Sequence, residues 1–139
     1  MEAYGKVIKQ VCTRSDLALA TGLLGRFQLN PGKDHGKVIK RTLHYMHGTK
    51  DLKLTFRKMN ALDIIGYSYD DLVGCRDTLK STSGYVFLLA GGAISWKSAK
   101  QSVVTSSTMY AEFIACFEAT GQAMWLKKFV PGFENYRKY

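Results

Sequence analysis

Four basic residues in the first third of the sequence are spaced so that they could bind phosphate groups together. Lys33, Lys37, Lys40 and Arg41 recur at intervals of one to four residues, which places them within about one third of the circumference of an α-helix. The opposite side of the same helix is apolar. Such a stripe is typical of a contact with a phosphate backbone and equally of a solvated helix face, so both interpretations stay open.

Other residue types that could perform chemistry lack the partners they would need. Cys12, Cys75 and Cys116 lie far apart in no paired spacing, which favours a reducing compartment over a disulfide framework or a zinc site. His44 and His47 are one helical turn apart, but no cysteine or acidic residue completes a ligand set. A serine nucleophile is not expected either, because no histidine occurs after His47 and no acidic residue is placed to orient one.

The net charge of +9 is concentrated in the N-terminal half of the chain. Residues 1–60 hold twelve Lys and Arg against four Asp and Glu, whereas residues 61–139 hold eight against seven. A basic surface of this kind suits a polyanion, of which nucleic acid is the commonest. No run of eighteen apolar residues and no signal peptide is apparent, so we expect no membrane partner and an intracellular location, cytoplasmic or nuclear.

The periodicity of apolar residues changes from helical to alternating and back along the chain. It predicts helices at about 16–28 and 33–48, strands at 53–57, 62–69, 85–89 and 93–97 with further extension at 102–104, and a helix from 107 to about 129. Gly91-Gly92 is the predicted hairpin turn, and Pro131-Gly132 the predicted end of the last helix. On that helix the predicted core-facing residues are Phe113, Cys116, Phe117 and Met124.

Several short segments, in unbroken order, resemble the ribonuclease H region of copia-type retrotransposon Pol polyproteins. They are Gly66-Tyr-Ser-Tyr-Asp-Asp, Lys80-Ser-Thr-Ser-Gly-Tyr-Val-Phe, Gly91-Gly-Ala-Ile-Ser-Trp-Lys-Ser, Ser106-Ser-Thr-Met-Tyr-Ala-Glu-Phe and Met124-Trp-Leu. Upstream, Val11-Cys-Thr-Arg-Ser-Asp-Leu-Ala, Asn30-Pro-Gly-Lys-Asp-His and Lys40-Arg-Thr-Leu-His-Tyr-Met-His-Gly-Thr are similar to the connection between reverse transcriptase and ribonuclease H.

The resemblance implies an α+β fold. Its expected parts are two N-terminal helices and a partial ribonuclease H-like unit of a three-stranded antiparallel sheet plus one helix, without the last strands of the family's sheet. We therefore expect a connection-like segment at 1–60, a truncated ribonuclease H-like domain at 61–132 and a tail at 133–139. The first strand of the sheet would then be an open edge, through which the chain could associate with itself.

In the intact family, the resemblance implies two magnesium ions held by several carboxylates that cleave the RNA strand of an RNA:DNA hybrid. The family's first aspartate falls on Tyr69, a neutral phenol and a poor magnesium ligand. Asp71 follows on the same strand face, about 7 Å further along, and Asp70 points to the other face. Glu112 matches the helix carboxylate and is the one metal-ligand candidate retained in its motif.

This degenerate site, Glu112 with Asp71, predicts no cofactor and no catalysis by the chain alone. The leading hypothesis is a retrotransposon relic. A second is a non-catalytic module that binds nucleic acid through the basic stripe, or a protein through the open sheet edge. A third is an active ribonuclease H whose missing carboxylates come from a partner chain.

Overall fold

A computed structural model describes residue 7 and residues 12–58, 63–75 and 80–136, with side chains described except at 72–75 and 131–136. It has the expected α+β order of helices, a three-stranded antiparallel sheet and a C-terminal helix. The chain divides into two compact units, residues 1–54 and 55–139, and each is described by itself. The domain roles predicted for 1–60 and 61–132 stay predictions.

Two helices form most of the described part of the first unit. A single 3-10 turn, Ser15–Leu17, leads into α1, Ala18–Arg26, and α2 covers Lys33–Gly48. The bounds predicted for α2 are confirmed, because Pro31 and Gly32 break the chain before it and Gly48 ends it. Its buried side meets the core of the unit, which consists of Val7, Leu24 and Ile39 with Leu43 and Met46 packed around them.

The turn before α1 is tied to the C-terminal end of α2 by one arginine. The Arg14 guanidinium donates to both carboxylate oxygens of Asp16, at 3.0 and 2.7 Å, and to the Thr49 hydroxyl at 2.8 Å. Tyr45 donates its hydroxyl to the same carboxylate at 2.8 Å. The hydrogen bond from Arg14 lowers the pKa of Asp16, and the bond to Asp16 raises the pKa of Tyr45. Arg14 and Asp16 thus contact Thr49 and Tyr45, which are 35 and 29 positions later in the chain. These contacts hold the turn before α1 against the end of α2.

The second unit is built on a sheet in the order β1-β2-β3, with β1 at Ile64–Cys75, β2 at Lys80–Leu89 and β3 at Gly92–Lys100. The predicted hairpin between β2 and β3 is confirmed, but its two turn residues are Ala90 and Gly91 rather than Gly91 and Gly92. Both have positive φ, 51° and 79°, the combination that a tight two-residue turn requires. Among the described residues β1 pairs only with β2, so it forms an edge of the sheet.

Two predicted strand segments are not strands. Residues 53–57 have no regular structure. Near the sheet, the Arg57 N–H donates to the Ala90 carbonyl at 2.8 Å and the Phe56 ring lies against Gly92. Residues 102–104 lie beyond the end of β3, because the last pairing on β2 is Thr82 with Lys100. After it the buried Gln101 donates its side-chain amide to the Ala111 carbonyl at 3.0 Å and turns the chain toward the last helix.

The last helix, α3, covers Thr108–Tyr136 and is longer than predicted. Ser107 caps its start by accepting the Tyr110 N–H at 3.3 Å. The predicted end at Pro131-Gly132 is wrong: a proline removes one backbone hydrogen bond, but its fixed φ is itself helical and α3 continues through it. Residues 133–136 of the predicted tail therefore belong to α3, and 137–139 lie outside the described residues.

The prediction of the core-facing side of α3 is also wrong. Phe113, Phe117 and Met124 are 64, 72 and 60% exposed, and Cys116 is exposed as well, although its sulfur lies 3.6 Å from the Ser68 hydroxyl of β1. In the first half of the helix the buried residues are small, Ala111 and Ala115 at 0 and 3% exposure, while Leu126 and Val130 are buried further along. The side of the sheet that faces α3 carries the large rings of Tyr85 and Phe87, which favour small helix residues beside them.

Candidate functional site

The two faces of β1 carry different residues, and contacts with α3 identify the face that the helix covers. The Ser68 hydroxyl lies 3.6 Å from the Cys116 sulfur on α3. On the neighbouring strand, Ser83 reaches Glu118 on α3. Because side chains alternate along a strand, residues 64, 66, 68 and 70 of β1 face α3, and residues 65, 67, 69 and 71 face away from it.

Tyr69 and Asp71 therefore lie on the sheet face that α3 does not cover. Tyr69 pairs with Gly84 on β2, and its ring lies where a side chain on Gly84 would otherwise be. Asp71 pairs with Thr82 and is exposed. The alternation predicted from the sequence holds, but it puts both residues on the side of the sheet opposite to the helix that carries Glu112.

The carboxylate of β1 that shares a side with Glu112 is Asp70. Glu112 lies one helical turn before Cys116 on α3, and Asp70 lies two residues after Ser68 on β1. Since Cys116 contacts Ser68, both carboxylates lie on the side of β1 that faces α3. The sequence analysis gave Asp70 the least weight because it lies on the strand face opposite to position 69, where the family's first aspartate falls.

A third acidic residue on α3, Glu118, is already engaged. It accepts from the Lys97 ammonium at 2.9 Å and, at 3.5 Å, from the Ser83 hydroxyl. Glu118 therefore contacts both β2 and β3 and stabilises the packing of α3 on the sheet. Its role is structural, and sequence reasoning had not singled it out.

The basic stripe of α2 is solvent-exposed along its full length. Lys33, Lys37, Lys40 and Arg41 are all exposed, on the side opposite to the buried Ile39. One of the four is partly neutralised, because the Lys37 ammonium lies 2.9 Å from the Asp34 carboxylate. His44 is also exposed and falls between the lysines on the same face. The structure therefore presents these side chains together, as a phosphate contact would require.

A groove of about 670 Å³ runs between β1 and α3. Gly66, Ser68 and Phe87 form its floor, and Cys116, Thr120 and Lys127 lie along its helical wall. Most of its surface is apolar, and it lies beside the open edge of β1. Over the described ranges, no helix of the chain is both long and apolar enough to cross a membrane.

Several known proteins with similar sequences are named as transposon proteins. The chain is 43% identical over 120 residues to the "Retrovirus-related Pol polyprotein from transposon TNT 1-94" of Nicotiana tabacum, a match that covers 86% of this chain and 9% of that protein. It is 35% identical over 114 residues to the Pol polyprotein from transposon RE2 of Arabidopsis thaliana, covering 82% of this chain and 8% of the relative. The chain belongs to the copia-type family of retrotransposon Pol polyproteins.

A shorter relative matches almost end to end. The "Secreted RxLR effector protein 161" of Plasmopara viticola is 41% identical over 127 residues, which are 91% of this chain and 89% of that protein. The pattern Arg-x-Leu-Arg does not occur in the present sequence, where Arg41 begins Arg-Thr-Leu-His. No family model and no solved structure matches the chain.

The present chain spans only about a tenth of the tobacco Pol polyprotein, and its residues do not fit the two-metal site that the resemblance implies. The described part of the chain holds no group of three or more His, Cys, Asp or Glu side chains that could bind a metal ion. Glu112 and Asp70 face one side and Asp71 the other, while Tyr69 offers a phenol. Two divalent cations need several converging carboxylates to neutralise and position them, and this arrangement does not supply them.

Proposed function

We propose that this Pol-derived chain is the junction of reverse transcriptase and ribonuclease H, and that by itself it is not a nuclease. The observation that carries the proposal is the position of Tyr69. It occupies the motif position of the first carboxylate, on the face of β1 that is directed away from Glu112. Replacing one residue would therefore not rebuild a two-metal site, because the face as well as the residue type is unsuitable.

The experiment is incubation of the purified chain with a labelled RNA:DNA hybrid and magnesium or manganese. We expect no cleavage above background from the natural chain, and none from Tyr69→Asp, because the new carboxylate would lie across the sheet from Glu112. Cleavage by the natural chain that disappears in Glu112→Ala would overturn the proposal. Metal-dependent cleavage that appears only in Tyr69→Asp would show that residue 69 faces the helix and that the loss is confined to one substitution.

The exposed stripe of α2 supports a second function, binding of nucleic acid without catalysis. Several cations on one helix face can neutralise successive phosphates, and release of counterions then makes the affinity fall with salt. Exposure of all four basic residues, opposite a buried side that fixes the helix, favours this function. It needs no metal and no carboxylate, so it is independent of the degenerate site.

Triple charge reversal, Lys37→Glu with Lys40→Glu and Arg41→Glu, tests the binding function. Each lost phosphate contact lowers the slope of log affinity against log salt by about 0.9 on duplex DNA, so the slope should fall by up to about 3. The matched control reverses Lys53, Arg57 and Lys58, which are exposed and lie outside α2. An equal loss of affinity in both triple variants would attribute binding to the net charge of the chain. Unchanged affinity in the α2 variant would exclude the stripe as the nucleic-acid contact.

A further inference from the structure

Helix α3 carries its larger apolar residues on the outside. Tyr110, Phe113, Phe117 and Met124 are 48, 64, 72 and 60% exposed, while the side against the sheet consists largely of alanines. Met109 and Trp125, 76 and 53% exposed, extend the same surface. A helix that is apolar on both sides is normally covered on both sides, and within the described residues of the second unit nothing covers the outer one.

The outer residues follow the spacing of a coiled-coil seam. Tyr110, Phe113, Phe117, Thr120 and Met124, here called the outer seam, are separated by three, four, three and four residues. This alternation keeps side chains in line along a helix that packs against another at about 20°. From 109 to 126 the charged residues are Glu112 and Glu118, and neither belongs to the seam. The seam is therefore suited to helix–helix packing.

The outer seam is complementary to itself. When two α3 helices run antiparallel with Phe117 of one copy over Thr120 of the other, the same register brings Phe113 to Met124 and Tyr110 to Lys127. Large residues then meet smaller or flexible ones, which is how packed layers interlock. A two-fold axis makes each of these contacts twice.

The area agrees with what a stable pair needs. At ordinary side-chain areas the exposed parts of the seam, with Met109 and Trp125, amount to at most roughly 700 Å² per copy, of the same order as the about 800 Å² that each partner buries in a standard interface. We propose that this chain forms a homodimer through antiparallel packing of the outer seams of two α3 helices. The proposal involves neither the open edge of β1 nor the basic face of α2.

Sedimentation velocity of the full chain over a wide range of concentration tests the proposal. We expect a monomer–dimer equilibrium in which Phe113→Glu and Met124→Lys each raise Kd by about 30-fold or more, as for residues at the centre of an interface. The double variant should regain about tenfold over Phe113→Glu, because the antiparallel register brings the two opposite charges together. A chain that stays monomeric throughout overturns the proposal.

The control variants change the exposed face of β1 instead. Ile65→Glu and Tyr67→Glu alter residues that are 51 and 58% exposed and should leave Kd unchanged. If they abolish association while the α3 variants do not, the chain pairs through its sheet and the proposal is wrong. Circular dichroism reports whether each variant retains its helices.

Cross-linking gives a second readout that adds no charge to the seam. In a background with Cys12, Cys75 and Cys116 changed to serine, chains with Phe117→Cys are mixed with chains carrying Thr120→Cys and oxidised. A disulfide between the Phe117→Cys and Thr120→Cys chains should form faster than one between Phe117→Cys chains and control chains that carry Ser102→Cys. Ser102 lies in the exposed segment before α3. Equal rates would overturn the proposed register.

Discussion

Replacing Gly84 by alanine should destabilise the sheet more than the same change at Gly66 or Gly92, where an added Cβ would meet only a phenylalanine ring. A Cβ at position 84 would lie 2.5 Å from the backbone carbonyl oxygen of Lys97 and 2.5 Å from Cζ of Tyr69. The Tyr69 ring is 41% exposed and can swing toward solvent. The Lys97 carbonyl belongs to β3, so it can give way only if β2 and β3 separate locally.

The expected loss is about 2 kcal/mol. Overpacking of a tight position costs about 1–3 kcal/mol, and a clash with backbone belongs to the upper part of that range. Against it stands about 0.4–1 kcal/mol gained because alanine restricts the unfolded chain. For a domain of the size of the second unit, residues 55–139, a loss of about 2 kcal/mol corresponds to a fall in Tm of roughly 8–16 °C.

The matched control is Gly121→Ala on α3, where an added Cβ would meet nothing within 4 Å. The same chemical change should there stabilise the chain by about 0.5–1 kcal/mol, since glycine weakens a helix interior. Thermal and urea unfolding followed by circular dichroism measure both variants. Tyr69→Ala combined with Gly84→Ala should recover only part of the loss, because the carbonyl clash persists. A Gly84→Ala chain as stable as the natural one would refute the steric reasoning.

Three further predictions concern polar contacts. Asp16→Asn should lower the free energy of unfolding at neutral pH and reduce its dependence on pH below about pH 4. The lowered pKa of Asp16 means that its carboxylate stabilises the fold above the ordinary aspartate pKa and that this stabilisation is lost as the pH falls. An unchanged pH dependence in the acid range would contradict this. The buried Ser81 and Thr105 hydroxyls lie 2.8 Å apart, so Ser81→Ala and Thr105→Val should each cost about 1–3 kcal/mol in urea unfolding, and the double variant less than their sum. Additive losses would show that the two do not interact. Glu118→Gln breaks a half-exposed ion pair and should cost less than about 1 kcal/mol, an effect that high salt reduces; a salt-independent loss would point to another cause.

The sequence by itself determined the features that depend on neighbouring residues in the chain. Helix α2 begins at Lys33 and ends at Gly48 as predicted, because Pro31-Gly32 and Gly48 interrupt helical periodicity locally. The β2–β3 hairpin was predictable because residues of high strand propensity flank a short glycine turn. Membership of the copia-type Pol family likewise followed from the order of short motifs, which needs no coordinates.

Only the tertiary structure decided which sides of these elements meet. Both faces of β1 and both sides of α3 carry apolar residues, so alternation and helical period alone leave two choices for each. Phe87, 4% exposed, and Tyr85, with ring centroids 5.4 Å apart, occupy the surface of β2 under α3. Alanines therefore pack there, and Phe113 and Phe117 are left outside. The same packing places Asp70 on the face of β1 that α3 covers and Tyr69 on the other face, because which face is covered depends on the volumes of residues brought together from three separate segments.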